Sequence, residues 1–287
     1  MVAYKLTGNI YTNHKGVQKL NDFYNFANNY SNCWFNLNLE NLNWIDANLS
    51  AELFLYCHLL KTKNRLCFYI DYSSLKGHLN VLSRNGFAYH TVHKNHRKHF
   101  KVTDERNSVI QLKAFKLDDA DSFVNYINDQ LLKQRGLEQV SKGIKDKIKS
   151  SYLEIFDNVG IHANSLTPIF ACGQYFPEQG ELKFTLTDFG DGFLKKIANH
   201  TISTTKIKKP DKAISWAVQG NSTKDNGEKG GNGLKKIMMY CYQSGGALSI
   251  VSDGCFWSLD NKKISSQALN NHRNGATIHL TFRYLSK

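Results

Sequence analysis

Apolar and polar residues alternate in several short segments of the first 130 residues, as they do in half-buried β-strands. The clearest of these segments are Asn32–Leu39, Leu66–Ile70 and Val109–Leu117. Between the first two, Ala51–Leu60 is apolar on most sides, which predicts a packed helix. This succession of strands and helices predicts a small α/β layer.

Two further segments of this half are less regular. Three leucines from Leu75 to Leu82 share a helical face, so we expect a helix that is capped by Ser73 or its neighbour and closed by Gly86. The segment His90–Arg106 is polar, basic and poor in hydrophobic residues, and it predicts a long loop.

A helix and a charged stretch mark the middle of the chain. In Asp118–Lys133, apolar residues recur every four positions, which predicts a helix. The charged stretch Lys133–Lys147 follows, and we expect a domain boundary there. The sequence thus predicts a two-domain α/β protein, with domains at residues 1–132 and 133–287.

Composition narrows the class of protein. No stretch approaches the roughly 20 apolar residues of a membrane span, and the N-terminus has no apolar run with a cleavage site. We therefore expect a soluble, cytoplasmic protein with no membrane partner. Six scattered cysteines without a Cys-x-x-Cys pair predict buried free thiols. The net charge of +13 attracts phosphates, which leaves nucleic acid open as a partner.

Four histidines, His90, His93, His96 and His99, recur at every third position among lysines and arginines. This period fits neither a strand face nor an α-helical face. Metal binding and contact with nucleic acid or an acidic partner are alternatives, but no cysteine or acid completes a metal site. We favour a solvated basic loop.

A helix in the second half carries polar residues one turn apart. Beside an apolar stripe, Glu154, Asn158 and His162 line one face. The carboxylate of Glu154 can take a proton from water or a hydroxyl, and the amide oxygen of Asn158 can bind a hard cation. A solvated helix face is the alternative interpretation.

A second candidate site follows the alternating strand Leu182–Thr187. Asp188 comes next, with glycines at 190 and 192. A carboxylate at a strand end can accept a hydrogen bond from an exocyclic amine such as that of adenine, and the glycines permit close approach of a flat ligand. A hairpin turn is the alternative.

A glycine-rich segment, Gly220–Gly233, precedes a predicted helix that begins at Leu234. Backbone N–H groups at such a helix start can hold phosphate, whereas the alternative is a flexible surface loop. The spacing fits neither the P-loop nor the Rossmann fingerprint. The segment Gly275–Phe282 predicts a closing β-strand.

Taken in order, these four segments resemble the GHKL ATPases, the class of gyrase, chaperone, histidine-kinase and mismatch-repair proteins. The resemblance covers residues about 140 to 285. It rests on the N-box Glu154–His162, on the G1 box Asp188, Gly190 and Gly192, on the G2 box Gly230, Gly231, Asn232, Gly233 and Leu234, and on Gly275-Ala276-Thr277, which has one inserted residue.

The resemblance implies an ATP and Mg²⁺ site in a GHKL (Bergerat) α/β sandwich. It makes Asn158 the Mg²⁺ ligand, Glu154 the general base, and Asp188 the partner of the adenine amine, with Thr277 near that base. It assigns the remaining ATP-binding positions to Gly190 and Gly192, which shape the adenine pocket, and to the G2 box Gly230, Gly231, Asn232, Gly233 and Leu234. Of the G2 box, Gly231, Asn232 and Gly233 would contact phosphates under a lid over residues 195–229.

The same resemblance implies an ATP-hydrolysing switch. Histidine kinases often carry Asn where Glu154 stands, so hydrolysis or serine/threonine phosphorylation of the anti-sigma type is favoured over histidine kinase chemistry. Two alternatives to the hydrolysing switch remain: a serine/threonine protein kinase of the anti-sigma type, and a non-hydrolysing protein whose interactions depend on ATP. We expect a protein partner, and the sequence leaves a homodimer open.

The N-terminal half resembles STAS domains through Leu42–Leu49, which follows a strand and precedes a helix. In phosphorylatable members of that family a Ser or Thr follows the Asp, whereas Ala47 fills that place here. The resemblance implies a regulatory or interaction domain that is not phosphorylated at that position.

Overall fold

The computed structural model of the protein describes residues 1–100, 102–134, 137–138, 140–162, 165, 167–198, 207–221 and 232–283, but not the side chains of 158 and 160–162. These residues form a mixed α/β structure that divides into two compact units. Unit 1 comprises Met1–Lys113 and Phe170–Gln174, and unit 2 comprises Ala114–Ile169 and Tyr175–Lys287. The prediction of an α/β protein in two parts is confirmed at this level.

The ranges of the two units differ from the predicted domains 1–132 and 133–287 because the chain returns to unit 1 at Phe170–Gln174. The ring of Phe170 lies 5.3 Å from that of Phe54. The thiol of Cys172 donates to the carbonyl of Ala47 at 3.4 Å. These buried contacts join segments more than a hundred residues apart, so no local pattern in the sequence announces them.

Unit 1 contains two small parallel sheets and the helices that follow their strands. One sheet has the order β1-β3-β5 and the other pairs β2 with β4. The strands are β1 (Val2–Lys5), β2 (Gly8–Ile10), β3 (Trp34–Asn38), β4 (Leu42–Ile45) and β5 (Cys67–Tyr69). The helices are α1 (His14–Ala27), α2 (Ser50–Lys63), α3 (Val81–Arg84) and α4 (Phe87–Thr91).

An aromatic core holds α1 on the first sheet. The ring of Phe23 on α1 lies 6.2 Å from Phe35 on β3 and 6.4 Å from Phe68 on β5, and all three side chains are fully buried. Burial of rings this large is a main source of stability for a small α/β layer. The helix begins after Asn13, whose side chain accepts the N–H of Gly16 at 2.9 Å. The predicted strands near residues 34 and 67 and the predicted helix Ala51–Leu60 are confirmed.

The single helix predicted between Ser73 and Gly86 is wrong. The chain instead makes 3₁₀ turns at Tyr72–Ser74 and Gly77–Asn80 before the short α3. Gly77 has a φ of +57°, which ends any helix that started before it. Gly86, with a φ of +85°, does end the segment as expected.

The long loop predicted at His90–Arg106 is also wrong in part. Its first residues belong to α4, and a 3₁₀ helix follows at Lys94–His99. Such a helix has three residues per turn, so a repeat of three places His93, His96 and His99 along one side of it or at its start. The histidine spacing therefore matches a secondary structure that the sequence analysis did not consider.

Unit 2 is built on a sheet whose order is β11-β10-β9-β12-β8, and the residues of β7 and β6 are divided between the units. The strands are β6 (Val109–Phe115), β7 (Ile169–Phe176), β8 (Glu181–Thr187), β9 (Ala247–Ser252), β10 (Cys255–Asp260), β11 (Lys263–Ala268) and β12 (Ala276–Arg283). The helices are α5 (Ala120–Tyr126), which continues into a π-helical turn at Ile127–Leu131, then α6 (Lys142–His162), α7 (Phe193–Ala198), α8 (Pro210–Val218) and α9 (Asn232–Ser244).

Helices pack on the sheet of unit 2. Helix α9 contacts α6, α8, β9, β10 and β12. Buried residues on α8 and α9, such as Ile214 and Ile237, recur at helical spacing and supply the apolar contact. The predicted helix at 118–133, the predicted helix that carries Glu154 and the predicted strands at 182–187 and 275–282 are confirmed. In the described part of the chain, no helix combines the length and the hydrophobicity needed to cross a bilayer.

Candidate functional site

The first part of the candidate site lies where β8 ends beside β12. These strands pair antiparallel, with Thr187 opposite Thr277. The next residue, Asp188, donates its backbone N–H to the carbonyl of Ala276 at 3.0 Å. The chain then continues to α7 rather than folding back along β8, so the hairpin alternative for this segment is wrong. Two of the predicted site residues, Asp188 and Thr277, are thus neighbours in space.

The carboxylate of Asp188 is buried, with only 3% of the residue exposed. One oxygen, Oδ1, accepts the N–H of Gly190 at 2.8 Å. Burial raises the pKa of Asp188, although backbone hydrogen bonds at Gly190 and Ala276 and the charges of Lys196 and Arg273 act in the opposite direction. A buried acceptor with unused capacity suits a ligand that donates a hydrogen bond.

Arg273 is a buried residue of this group that the sequence analysis missed. Its guanidinium donates to the backbone carbonyl of Asp188 at 3.2 Å and to the hydroxyl of Thr277. The same hydroxyl lies 2.6 Å from that of Thr187. Arg273 therefore ties the ends of β8 and β12 together, and it engages the Thr277 hydroxyl from one side. No motif marks this arginine, because its contacts depend on the pairing of distant strands.

Glycine is required at two positions around Asp188. Gly275 has a φ of +85°, and a Cβ there would lie 2.2 Å from the carbonyl oxygen of Asp188. A Cβ on Gly192 would lie 2.4 Å from a carboxylate oxygen of Asp253. Both contacts are far below any van der Waals distance, so these glycines allow the chain to approach itself closely.

Asp253 and Ser252 form a second polar group that the sequence analysis missed. The carboxylate of Asp253 accepts the backbone N–H of Leu194 at 3.0 Å. The hydroxyl oxygen of Ser252 accepts the backbone N–H of Phe193 at 3.1 Å. They thereby satisfy donors at the start of α7. Asp253 and Gly254 both have positive φ in the two-residue turn between β9 and β10. The Asp-Gly pair could have been recognised as a hairpin turn, but not its contact with α7.

The second part of the candidate site is the start of α9 against α6. A Cβ on Gly233 would lie 3.0 Å from Cβ and 3.2 Å from the carboxyl carbon of Glu154, and 3.1 Å from the carbonyl of Ser151. Glycine therefore lets the first turn of α9 pack directly on Glu154. The N-terminus of a helix carries unpaired N–H groups and partial positive charge, which favours anions.

The carboxylate of Glu154 is mostly buried, with 22% of the side chain exposed. Its Oε2 lies 4.0 Å from Nζ of Lys236, one turn into α9. Its Oε1 is buried and has no hydrogen-bond partner within the described residues. Glu154 thus combines an anchored oxygen with one that is available to a water molecule or a hydroxyl.

Other predicted site residues lie partly or wholly outside the described structure. Asn158 and His162 belong to α6, but their side chains are not described. Gly230 and Gly231 lie outside the described residues, whereas Asn232 opens α9 and Leu234 is buried within its first turn.

Two helices occupy the described parts of the predicted lid over residues 195–229. Most of α7 and all of α8 fall in this range. Helix α8 packs on the sheet, where the indole N–H of Trp257 on β10 donates to the hydroxyl of Ser215 at 3.1 Å. A cleft of about 670 Å³ lies along α8 and is lined by Lys208, Lys209, Lys212, Trp216 and neighbouring residues. Its three lysines make this surface attractive to phosphates.

The cysteines and histidines form no metal site in the described structure. All six cysteines are free thiols; four are buried, whereas Cys33 and Cys67 are half-buried. The prediction of buried thiols is therefore confirmed for four of them. Among the described residues, no three His, Cys, Asp or Glu side chains gather closely enough to hold a metal ion.

Protein-family models and curated protein sequences give no match to this chain.

Proposed function

We propose that unit 2 binds ATP with Mg²⁺ and hydrolyses it, as an α/β sandwich of the GHKL type. The observation that carries this proposal is the contact of Gly233 with Glu154. It brings a helix N-terminus, which favours phosphate, against a carboxylate with an unused oxygen. Two sequence motifs that lie about 80 residues apart thus meet in one place, as a phosphate site with a general base requires.

The adenine end of the proposed site is the group around Asp188. The remaining acceptor capacity of the Asp188 carboxylate would take the exocyclic amine of adenine, and the turn from Gly190 to Gly192 would leave room for the flat base. Thr277 lies next to Asp188, as the resemblance implied, but its hydroxyl already contacts Arg273 and Thr187. We therefore assign Thr277 to holding the shape of the adenine site.

We propose that Mg²⁺ binds beside the phosphates, as the resemblance implies. A magnesium ion in a nucleotide site takes one or two protein oxygens and completes its shell with phosphates and water. Asn158, one turn after Glu154 on α6, would supply the protein oxygen. The bound ion would neutralise negative charge on the phosphates.

Hydrolysis needs a base that takes a proton from the attacking water. Glu154 would do this through Oε1, which has no hydrogen-bond partner among the described residues, while Oε2 lies 4.0 Å from Nζ of Lys236. The first N–H groups of α9 would hold the phosphate chain. The cleft along α8 offers further positive charge in the same unit.

Replacement of Glu154 by Ala tests the proposal. The contact with Gly233 involves Cβ, which alanine keeps, so the packing of α9 on α6 should survive. We expect ATP hydrolysis to fall by a factor of about 10² or more, because a general base contributes about that much. ATP affinity, measured by calorimetry with Mg²⁺, should change little.

Glu178→Ala is the matched control, because Glu178 is an exposed carboxylate of the same unit. It should leave both binding and hydrolysis unchanged. If folded wild-type protein bound no adenine nucleotide, the proposal would fail altogether. If Glu154→Ala hydrolysed ATP at the wild-type rate, only the assignment of the base would fail.

Transfer to a protein hydroxyl is the alternative reaction, since Glu154 could equally deprotonate a serine or threonine. Incubation with ATP labelled at the terminal phosphate, together with protein encoded alongside this chain, separates the two. Free labelled phosphate supports hydrolysis. A labelled protein whose labelling depends on Glu154 supports kinase activity, and tight binding without turnover supports an ATP-dependent interaction protein.

We further propose that unit 1 is a STAS-like regulatory or interaction domain. Parallel strands joined through helices support this proposal. Asp46 is buried and accepts hydrogen bonds from Thr12 and from the indole of Trp44, and Ala47 beside it is fully buried. This position thus lacks both a hydroxyl and access for a kinase, which argues against control by phosphorylation there.

A further inference from the structure

The most basic segment of unit 1 is the 3₁₀ helix Lys94–His99, which we call the basic helix. From His90 to His99 the chain carries four histidines, two lysines and an arginine, and no acid. Three residues per turn distribute these side chains over three sides of the helix. Lys94, Arg97 and Lys98 form no ion pair with any carboxylate in the described residues.

The first side of the basic helix meets an exposed tryptophan. The ring of Trp34, 41% exposed, lies 5.2 Å from that of His93 and 5.8 Å from that of His96. Tyr69 on the adjacent strand lies 5.6 Å from His96. Two imidazole edges thus hold the indole in place while much of it remains open to solvent.

The second side gathers further cations. The guanidinium of Arg97 lies 5.3 Å above the ring of Tyr89, which contacts His90. Lys61 donates to the carbonyl of His90 at 2.7 Å. Burial, together with the nearby charge of Arg97, lowers the pKa of Lys61 to about 8. Positive groups that crowd together in this way gain from an added anion.

The third side, which carries Lys98, and the end of the basic helix at His99 border a polar cavity of about 450 Å³. Arg84 and Arg106 also line it, as do Glu105 and the half-exposed Tyr72, and Arg84 is paired with Asp104 at 2.7 Å. Ser83 is a further lining residue, and its hydroxyl is buried without a hydrogen-bond partner among the described residues. Lysine and arginine side chains outnumber the carboxylate in this lining, so the cavity with its unsatisfied hydroxyl suits a phosphate oxygen.

We propose that this surface of unit 1 binds single-stranded nucleic acid. Lys94, Arg97 and Lys98 would contact phosphates, while Trp34 and Tyr72, on different sides of the basic helix, would stack with bases. Cationic grooves that alternate with exposed aromatic rings are the combination that single strands require. An acidic peptide would use the cations but would leave two large exposed rings without a role.

Fluorescence anisotropy with a labelled single strand of about twenty nucleotides, without ATP, tests this proposal. The double variant Lys94→Glu/Lys98→Glu should weaken binding by a factor of about ten or more and reduce its salt dependence, because two phosphate contacts are lost. The matched control is Lys5→Glu/Lys15→Glu, which makes the same charge change at exposed positions of unit 1. This control should weaken binding of the single strand less than about twofold.

Trp34→Ala should weaken binding by a factor of about five or more with an unchanged salt dependence, since it removes stacking alone. Trp34→Phe should restore most of the affinity. Binding of duplex equal to that of single strand, or equal losses in the two lysine pairs, would overturn the proposal. An unchanged affinity in Trp34→Ala, with full competition by polyglutamate, would also overturn it and indicate an acidic protein partner. None of these results depends on ATP binding by unit 2.

Discussion

Asp188 is a residue whose buried charge lowers stability at the place where we propose that adenine binds. Its ionised carboxylate is buried at the end of β8, and burial raises its pKa above the ordinary value of 3.8. A raised pKa means that the folded protein binds the proton more tightly than the unfolded chain does. The stabilisation that this gives is present at low pH and is lost as pH rises through the folded pKa. At neutral pH the charge of Asp188 therefore costs stability.

Replacement of Asp188 by Asn separates the effect of this residue on stability from its proposed effect on ATP binding. The amide oxygen can still accept the N–H of Gly190, but the amide nitrogen would face the adenine amine, donor against donor. We expect ATP affinity to fall by a factor of about ten or more. The free energy of unfolding at pH 7, measured with urea, should not fall.

The difference in the free energy of unfolding between wild type and Asp188→Asn should also depend on pH. Between pH 7 and pH 4 the wild-type protein should gain stability relative to Asp188→Asn, because only the wild-type residue takes up a proton. Asp146→Asn, at an exposed position on α6, should show no such relative shift. Unaltered ATP affinity in Asp188→Asn would contradict the role of this carboxylate.

At the level of the element, caps and glycines decide where helices begin and end. The amide oxygen of Asn13 satisfies a donor in the first turn of α1, the helix whose Phe23 reaches the aromatic core. An N-cap of this kind is worth about 1 kcal/mol. In unit 2, Ser252 and Asp253 do the same for α7 from a distant turn.

Asn13→Ala should therefore lower the free energy of unfolding by about 1 kcal/mol, measured by urea denaturation. Asn13→Asp keeps an acceptor oxygen at the cap and should retain most of the stability. Binding of ATP should be equal in both variants, because α1 belongs to unit 1. An equal loss of stability in the two variants would show that the cap hydrogen bond is not the cause.

Elements with a sustained pattern could be predicted from the sequence. The strands that contain Phe35 and Phe184, and helices such as α2 and α6, have long enough periodicity to be recognised. The region from Tyr72 to His99 was mistaken because short 3₁₀ turns have no period that is distinct from loops. The motif residues Asp188 and Thr277 were found, but Arg273 and Asp253 were not, because strand pairing brings them there.

Over the whole molecule, each unit keeps two thiols in its interior. Cys57 and Cys172 are buried in unit 1, and Cys241 and Cys255 in unit 2. Burial raises the pKa of Cys57 and of Cys241 to about 12, and that of Cys255 to about 11. Because the thiolate is the reactive form, these groups are protected both by burial and by protonation.

Labelling of the native protein with a maleimide, followed by peptide mass spectrometry, should therefore modify Cys33 and Cys67 first. The four buried thiols should react at least about a hundredfold more slowly, until urea unfolds the unit that holds them. Prior treatment with reductant should change nothing, because all six are free. Rapid labelling of Cys57 or Cys241 in native protein would contradict the packing around α2 or α9.

The return of the chain to unit 1 at Phe170–Gln174 has a consequence for synthesis on the ribosome. Phe170 and Cys172 fill space beside Phe54, Ala47 and Ile110, so unit 1 is incomplete until translation has passed residue 174. By then the whole of α6 has been synthesised, and it must wait for strands β8 to β12, which are encoded after it. Unit 1 therefore cannot complete its fold until the first part of unit 2, Ala114–Ile169, has been synthesised.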